Sequence, residues 1–338
     1  MRIGIAPWGA HLDEWVEVAR HADDRGLADV WTSELHRSPF VPLAAAATAT
    51  TRIGLGTGIA LAFTRSPFSA ALAALDLDEL SGGRLRFGIG SGVRRLVEDW
   101  HGRPFDQPVE RLRDWIAAFR AVVEGAHRGE PMATDGTHES LAVRGYERPY
   151  APARPTIPIH VASVGPLMTR LAGEVADGWI SHELTSPAML RETTMPRLDE
   201  GLERSGRTRD DLDVVVSACC VIDDDADRAR RTAAHTVAFY ASVRTYEPMF
   251  ADHGFGEAAR AVQTAFRAGD VPAMVAAVPD EMVDTFTLAG TADEVRGALG
   301  RFDGLADAVK LSPPTYFVDA ETTRRCQTRT LATFGGQP

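Results

Sequence analysis

The sequence is poor in cysteine and lacks the spacings that cysteine chemistry needs. Its 338 residues contain three cysteines, Cys219, Cys220 and Cys326, and none of them forms a CxxC pair. Structural zinc sites need cysteines at CxxC-type spacing, and disulfide frameworks need more cysteines than this. The sequence therefore predicts neither, and it fits a protein of the reducing cytoplasm.

Long apolar runs are also missing. No stretch of about 18 apolar residues occurs, although a transmembrane helix needs that length. Residues 1–6 lead straight into strand-like sequence, without the apolar core and small-residue cleavage site of a signal peptide. We therefore expect a protein that is neither exported nor held in a membrane.

An excess of positive charge is absent. The chain has 36 lysines and arginines against 47 aspartates and glutamates, a formal net charge of −11, and no dense basic tract. Nucleic-acid binding rests on lysine and arginine contacts to phosphate, so DNA or RNA is excluded as an expected partner.

Two common cofactor motifs are missing as well. His182-Glu183 has no second histidine at the HExxH position and no HxH pair occurs, so we predict no metal site. Residues 88–92 read GIGSG, which lacks the GxGxxG spacing of a dinucleotide fold. A Rossmann site is therefore not predicted.

What the chain does contain is an alternation of short strand-like runs with amphipathic helical stretches, in a composition that is 44% hydrophobic. This alternation is typical of an α/β protein with a parallel sheet covered by helices. The predicted strands are Arg2 to Ala6, Ala28 to Thr32, Ile53 to Gly58, Leu85 to Gly90, Ile157 to Ala162, Gly178 to Ser181, Leu212 to Val221 and Ala308 to Leu311. Eight such strands predict a (β/α)8 TIM barrel, whose working face is built from the carboxyl ends of the strands; an open doubly wound sheet is the alternative.

The length is compatible with one barrel domain over residues 1–338. Two stretches exceed a minimal barrel: about 130–155, which is rich in turn formers, and about 223–280, which is rich in alanine and helical in pattern. We interpret both as insertions at the carboxyl face, where such insertions commonly shape access of the substrate. Surface elaboration is the alternative.

Glycine is concentrated after two neighbouring strands. Residues 53–59 read IGLGTGI and residues 85–92 read LRFGIGSG, with a helical stretch up to Leu80 between them. Glycine lets the backbone approach a flat ligand and adopt dihedral angles that other residues avoid. The two segments therefore indicate the edge of a cofactor site, although tight turns alone would also place glycine there.

A set of short segments carries a resemblance to a known family: residues 30–34 (VWTSE), 55–59 (LGTGI), 65–67 (RSP), 80–84 (LSGGR), 88–92 (GIGSG) and 176–179 (ADGW). With these segments the chain resembles the luciferase-like monooxygenase superfamily, and in particular its deazaflavin-dependent branch. The resemblance implies a TIM barrel of the bacterial-luciferase type and a homodimer. It also implies an F420-dependent oxidoreductase that transfers hydride between coenzyme F420 and a small organic substrate. The alternatives are an FMN-dependent monooxygenase and a flavin-binding protein without turnover.

The resemblance also implies where the cofactor lies. Gly58, Ile59 and Ala60 would form a wall behind the flat ring, with a non-prolyl cis peptide bond at Gly58–Ile59 or, as second choice, at the next bond. Gly90, Ser91 and Gly92 would continue that wall. Ser163, Val164, Gly165 and Pro166 open a helix after the fifth predicted strand and would hold the cofactor phosphate; helix capping by Ser163 is the alternative.

Glu34 and His36 follow the second predicted strand and are the candidate catalytic residues. A carboxyl or imidazole there could exchange the proton that accompanies hydride transfer. Related deazaflavin enzymes carry an acid followed directly by histidine, whereas Leu35 intervenes here. Both side chains could also merely satisfy hydrogen bonds.

The remaining assignments concern the substrate and the cofactor tail. Trp8 and His182 are candidate substrate-pocket residues, and His160 is predicted to be a hydrogen-bonded core histidine. Val93 stands where a sugar-phosphate dehydrogenase of this branch would carry an acid, so a sugar phosphate is a poor substrate. Four arginines could meet a phosphate or glutamyl tail, although solvated surface arginines are the default: Arg37, Arg65, Arg94 and Arg95.

Overall fold

The structure is a computed structural model that describes residues 1–336. Its strands are β1 Arg2–Ile5, β2 Asp29–Thr32, β3 Gly54–Thr57, β4 Ala60–Leu61, β5 Leu85–Gly90, β6 Met132–Thr134, β7 Leu141–Val143, β8 Ile159–Ala162, β9 Gly178–Ile180, β10 Asp213–Ile222, β11 Leu288–Gly290 and β12 Ala308–Ser312.

The α-helices are α1 Leu12–Asp24, α2 Val41–Ala49, α3 Pro67–Ser81, α4 Pro108–Gly125, α5 Pro166–Val175, α6 Pro187–Met189, α7 Met195–Arg204, α8 Ala226–Ser242, α9 Glu247–Asp252, α10 Gly256–Arg267, α11 Val271–Ala276, α12 Asp280–Phe286, α13 Ala292–Leu299 and α14 Ala320–Phe334. Short 3-10 segments lie at Ala62–Thr64, Arg209–Asp211, Arg244–Tyr246 and Gly300–Phe302, and π-helical turns at Leu96–Trp100 and Leu190–Thr194.

The main sheet closes on itself. Its order runs β10-β12-β1-β2-β3-β5-β8-β9, and β9 pairs again with β10, so eight parallel strands form a closed barrel with surrounding helices. These are the eight strands that the sequence predicts, and the TIM-barrel prediction is confirmed. The alternative of an open sheet is excluded because an open sheet would leave two unpaired edges.

The chain divides into two compact units, and the first comprises residues 1–27, 182–190 and those from Val216 onward. Helices α8 to α12 share one apolar core, which includes Val237, Phe250 and Met282. The alanines of α8 keep its buried face narrow, so α10 and α12 pack directly against it. The stretch predicted as a mostly helical insertion at about 223–280 is therefore helical.

The second unit comprises residues 28–181 and 191–215. Phe87 of β5 stacks on Phe119 of α4 with ring centroids 4.8 Å apart, and Trp115 lies parallel to Phe119 at 5.4 Å. Both side chains of this helix are fully buried, so they belong to the core of the unit. The turn-rich stretch at about 130–155 contains the antiparallel hairpin of β6 and β7. Whether the chain acts as one domain with two insertions stays a prediction.

Over residues 1–336, no helix combines the length and the apolar character that crossing a bilayer would require.

Candidate functional site

A short backbone segment after β3, residues 58–61, forms what we call the shelf. The peptide bond between Gly58 and Ile59 is cis, as predicted. The Gly58 amide donates to the Thr32 carbonyl at 2.6 Å, and Ala60 and Leu61 pair with β5 opposite Ile89 and Gly90. Gly58 and Ile59 are partly exposed, whereas Ala60 and Leu61 are buried. The shelf thus presents backbone and one isoleucine side chain to its surroundings.

Two glycines after β5 leave room for this arrangement. A Cβ built on Gly90 would come within 2.5 Å of Ile59 Cδ1, and one on Gly92 would come within 3.0 Å of Leu61 Cδ2. Gly92 also has a φ of +71°, which favours glycine. The missing side chains let Ile59 and Leu61 pack against the end of β5, and they leave the partly exposed backbone of Gly58 and Ile59 as the surface that a flat ring could lie against.

Glu34 is bound to the shelf from both sides. Its amide donates to the Ile59 carbonyl at 2.9 Å, and its Oε2 accepts the Leu61 amide at 2.7 Å. Both carboxylate oxygens also accept from the Arg65 guanidinium. The side chain of Glu34 is 13% exposed. Glu34 is therefore a partner of the shelf backbone and of Arg65.

His36 lies in a different setting from Glu34. Residues 34–37 form a tight turn that is closed by a bridge between Glu34 and Arg37. Leu35 and His36 occupy the tip of that turn, and both are exposed. The turn thus brings the imidazole into solvent close in sequence to the shelf partner Glu34.

The predicted phosphate segment opens helix α5. Val164 is 61% exposed, and Gly165 and Pro166 are exposed as well. The first amides of a helix lack intrahelical acceptors, and the dipole there favours an anion. Ser163 itself is buried: its hydroxyl accepts from Trp179 Nε1 at 2.8 Å and contacts Thr169 Oγ1 at 2.9 Å. The backbone of this segment is open to an anion, whereas the Ser163 hydroxyl is already engaged within the protein.

The predicted arginines differ in their surroundings. Arg94 and Arg95 form exposed ion pairs with Glu98 and Asp99, one helical turn further on. Exposed pairs of this kind contribute little to stability, and these two arginines are solvated, as the default assumes. Val93 is 58% exposed, so the position that would carry an acid in a sugar-phosphate enzyme is apolar and open to solvent.

His160 is buried and its Nε2 lies 3.0 Å from Asp213 Oδ2. The prediction of a hydrogen-bonded core histidine is confirmed. Its ring meets Trp31 edge to face with centroids 6.0 Å apart.

Within the first unit, Trp8 is held through its backbone. Its amide donates to Gln327 Oε1, its carbonyl accepts from Gln327 Nε2, both at 3.1 Å, and the Arg324 guanidinium covers its ring. The indole is partly exposed.

His182 belongs to a polar cluster in the same unit that the sequence did not reveal. Glu183 accepts from the Tyr240 hydroxyl at 3.0 Å and from the Ser312 hydroxyl. His182 lies 4.7 Å from the Tyr240 ring, measured between centroids. The Lys310 ammonium interacts electrostatically with both His182 and Glu183. Burial, with the Glu183 charge second, raises the pKa of Tyr240 well above its ordinary value, so its hydroxyl stays protonated. The alternation of Lys310 and Ser312 on β12 was the one sequence signal for this cluster.

The pKa of His182 predicts how the stability of the protein depends on pH. Burial, with the Lys310 ammonium second, lowers the pKa of His182 from 6.5 to about 4. Above pH 6.5 His182 is neutral in both the folded and the unfolded protein, and its contribution to the free energy of unfolding is complete. As the pH falls from 6.5 toward about 4, the unfolded chain binds a proton that the folded protein does not, so this contribution is lost. We expect His182→Gln to lose less stability than the wild type between pH 7.5 and 5, measured as urea midpoints. Equal losses in the two proteins would contradict this assignment.

A cavity of about 590 Å³ in the second unit is lined by residues including Arg120, Thr156, Asp177 and Arg207. It lies at the amino ends of β8 and β9, whereas the shelf follows the carboxyl end of β3. Barrel enzymes work at the carboxyl ends, so this cavity is not the candidate site. Among residues 1–336 no group of three or more His, Cys, Asp or Glu side chains could hold a metal ion.

The luciferase-like monooxygenase family matches residues 3–307. The chain belongs to this family. A luciferase-like relative from Archaeoglobus fulgidus, 5,10-methylenetetrahydromethanopterin reductase, is 31% identical over 281 residues, which cover 81% of each chain.

Two solved structures share the luciferase-like fold. One is the coenzyme F420-dependent tetrahydromethanopterin reductase of Methanopyrus kandleri, with a TM-score of 0.84 and 24% identity over 98% of this chain and 96% of that one. The other is the oxygenating constituent of 3,6-diketocamphane monooxygenase from Pseudomonas putida in complex with FMN, with a TM-score of 0.71 and 19% identity over 100% and 97% of the two chains. At these identities the two structures establish the fold. Luciferase-like neighbours are thus named with F420 or with FMN.

Proposed function

We propose that this protein is an oxidoreductase that transfers hydride between coenzyme F420 and a small organic substrate. The observation that carries the proposal is the shelf, with its neighbouring glycines, in a luciferase-like barrel. Two similarities support F420 over FMN: the reductase relative that is 31% identical, and the Methanopyrus kandleri reductase of the same fold, which is named as F420-dependent.

In this proposal three backbone segments hold the cofactor. Gly58, Ile59 and Ala60 lie behind the ring, the chain from Gly90 to Gly92 borders it, and the backbone of residues 163–166 meets the phosphate. The deazaflavin ring supplies the carbon that accepts or gives up hydride. The protein contributes position and exclusion of water, which are the effects that such a transfer needs most from its surroundings.

The proton that accompanies the hydride is assigned to His36, with Glu34 as the second candidate. His36 is exposed at the tip of its turn, whereas Glu34 is held by Arg65 and by two backbone groups. The Glu34 carboxylate would have to leave both Arg65 and the Leu61 amide before it could reach a substrate.

The substrate is proposed to be a small molecule that lies near Trp8 or His182. His182 is neutral at pH 7 because its pKa is about 4, so it can form hydrogen bonds to a substrate there but is not protonated to act as an acid. The apolar Val93 disfavours a sugar phosphate. Homodimer formation and a cytoplasmic location stay predictions that belong to the same proposal.

The test of this function is a paired binding and turnover assay. Purified protein is titrated with F420 and with FMN, and binding is followed by quenching of ligand fluorescence. We expect binding of F420 in the micromolar range or tighter, and turnover with F420 that consumes no oxygen. Binding of FMN alone, with oxygen uptake in the presence of reduced FMN, would identify a monooxygenase and overturn the proposal.

A further inference from the structure

Arg65 is itself fixed in place by its surroundings. Its Nη1 donates to the Leu61 carbonyl at 2.7 Å as well as to Glu34 Oε2 at 2.8 Å. Its guanidinium lies over the Phe40 ring at 5.2 Å, and its carbonyl accepts from Trp115 Nε1 at 3.2 Å. The guanidinium therefore has little freedom to turn toward a ligand.

Glu34 and Arg65 together bind the backbone of two shelf residues. Leu61 donates its amide to Glu34 and gives its carbonyl to Arg65, so both polar groups of one shelf residue are bound by the pair. Ile59 is bound at its carbonyl by the Glu34 amide. The bonds between Glu34 and Arg65 span 31 positions of sequence and join the loop after β2 to the loop before α3.

The chemistry of the pair suits a fixed position rather than proton exchange. Hydrogen bonds between charged groups are about twice as strong as neutral ones, and two parallel bonds also fix the relative angle of the two side chains. A glutamate that gave up this geometry to move a proton would leave a partly buried guanidinium and the Leu61 amide without their partner. Removal of one partner of a charged hydrogen bond is costly for that reason.

We infer that Glu34 and Arg65 form a clamp that sets the position of the shelf, and that Glu34 is a positioning residue rather than the proton donor. The inference rests on the proposed function for the identity of the ligand on the shelf. It departs from the sequence-based expectation of a catalytic Glu34, and it makes Arg65 a partner of the shelf backbone rather than a ligand of the cofactor tail.

The test combines two readouts on Glu34→Gln, Glu34→Ala and Arg65→Lys. The first is amide hydrogen exchange of the protein without added ligand, which needs no cofactor. We expect faster exchange at Leu61 in Glu34→Ala, because its acceptor is removed, and unchanged exchange at Gly58, whose acceptor is the Thr32 carbonyl. Gly58 is thus the control within the same segment.

The second readout is affinity for F420 and for FMN, followed by turnover at saturating ligand. In each variant, the affinity for the ligand that the wild type binds is expected to fall by about ten- to a hundredfold, the range for loss of one charged hydrogen bond. Arg65→Ala and Glu34→Ala/Arg65→Ala are added to complete a double-mutant cycle. The loss of affinity in the double variant is expected to be smaller than the product of the losses in Glu34→Ala and Arg65→Ala, because the two residues act as one unit. The pH profile of turnover in Glu34→Gln is expected to match that of the wild type.

The clamp would be overturned if Glu34→Gln and Glu34→Ala kept the wild-type exchange at Leu61 and the wild-type affinity while their pH profiles of turnover lost one limb. That result would restore Glu34 as the proton donor. If the Glu34 variants do not fold, Arg65→Lys tests the clamp by the same two readouts, since lysine keeps the positive charge but cannot make the two parallel bonds to the carboxylate. If the wild type binds neither F420 nor FMN, the proposed function fails, and exchange at Leu61 alone decides the clamp.

Discussion

Replacing His36 by alanine is expected to lower the rate of turnover with F420 by about 10²- to 10⁴-fold, the usual contribution of a positioned acid or base. The expectation follows from the contrast between two neighbours. Glu34 is engaged by Arg65 and Leu61, whereas His36 is exposed at the tip of the turn. The affinity for F420 is expected to stay within about threefold of the wild type, since no backbone bond of the shelf involves His36.

The measurement is kcat and the Kd for F420, determined with a substrate that the F420 turnover assay identifies. His21→Ala is the matched control, because His21 is also exposed but lies on α1, where it pairs with Glu17. The control is expected to change neither quantity. A His36→Ala enzyme with wild-type kcat over the full pH range would show that another group moves the proton.

Replacing Gly88 by alanine is expected to destabilise the fold by about 3 kcal/mol or more. The added Cβ would lie 1.9 Å from the Thr57 carbonyl oxygen and 2.7 Å from Ile180 Cδ1. The Thr57 side chain in turn donates to the Gly88 carbonyl at 2.7 Å. Because the first contact is with backbone, a rotamer change cannot relieve it, and β3 and β5 would have to separate.

The control is Gly297→Ala on the exposed side of α13. A Cβ there meets nothing within 4 Å, and the residue lies inside a helix, so alanine is expected to stabilise the protein by about 0.5 to 1 kcal/mol. Both variants are compared with the wild type by urea unfolding. A Gly88→Ala protein within about 1 kcal/mol of the wild type would show that β3 and β5 are less tightly packed than the structure shows.

The eight barrel strands could be predicted because each is a short apolar run between turn formers. Helix α4 was equally clear, since Leu112, Trp115 and Phe119 recur at helical spacing and all three are buried. The strands that the sequence did not reveal are short. β4 has two residues and β11 has three, and both gain their hydrogen bonds from a longer neighbour rather than from a pattern of their own.

The candidate site was predictable in its backbone and less so in its side chains. Glycine reports on the space around it, and Gly90 and Gly92 lie where Ile59 and Leu61 pack against the end of β5; their place beside a cofactor stays a prediction. The partner of a charged side chain, in contrast, is set by the fold. No spacing rule links Glu34 to Arg65, or Glu183 to Tyr240 and Ser312, because folding brings these residues together from distant parts of the sequence.

The most direct test of this account is a crystal structure of the protein with F420 bound. We predict that the deazaflavin ring lies against Gly58, Ile59 and Ala60, beside Gly90, with Glu34 still bound to Leu61 and Arg65. A ring bound elsewhere, with residues 58–61 facing only solvent, would contradict the account.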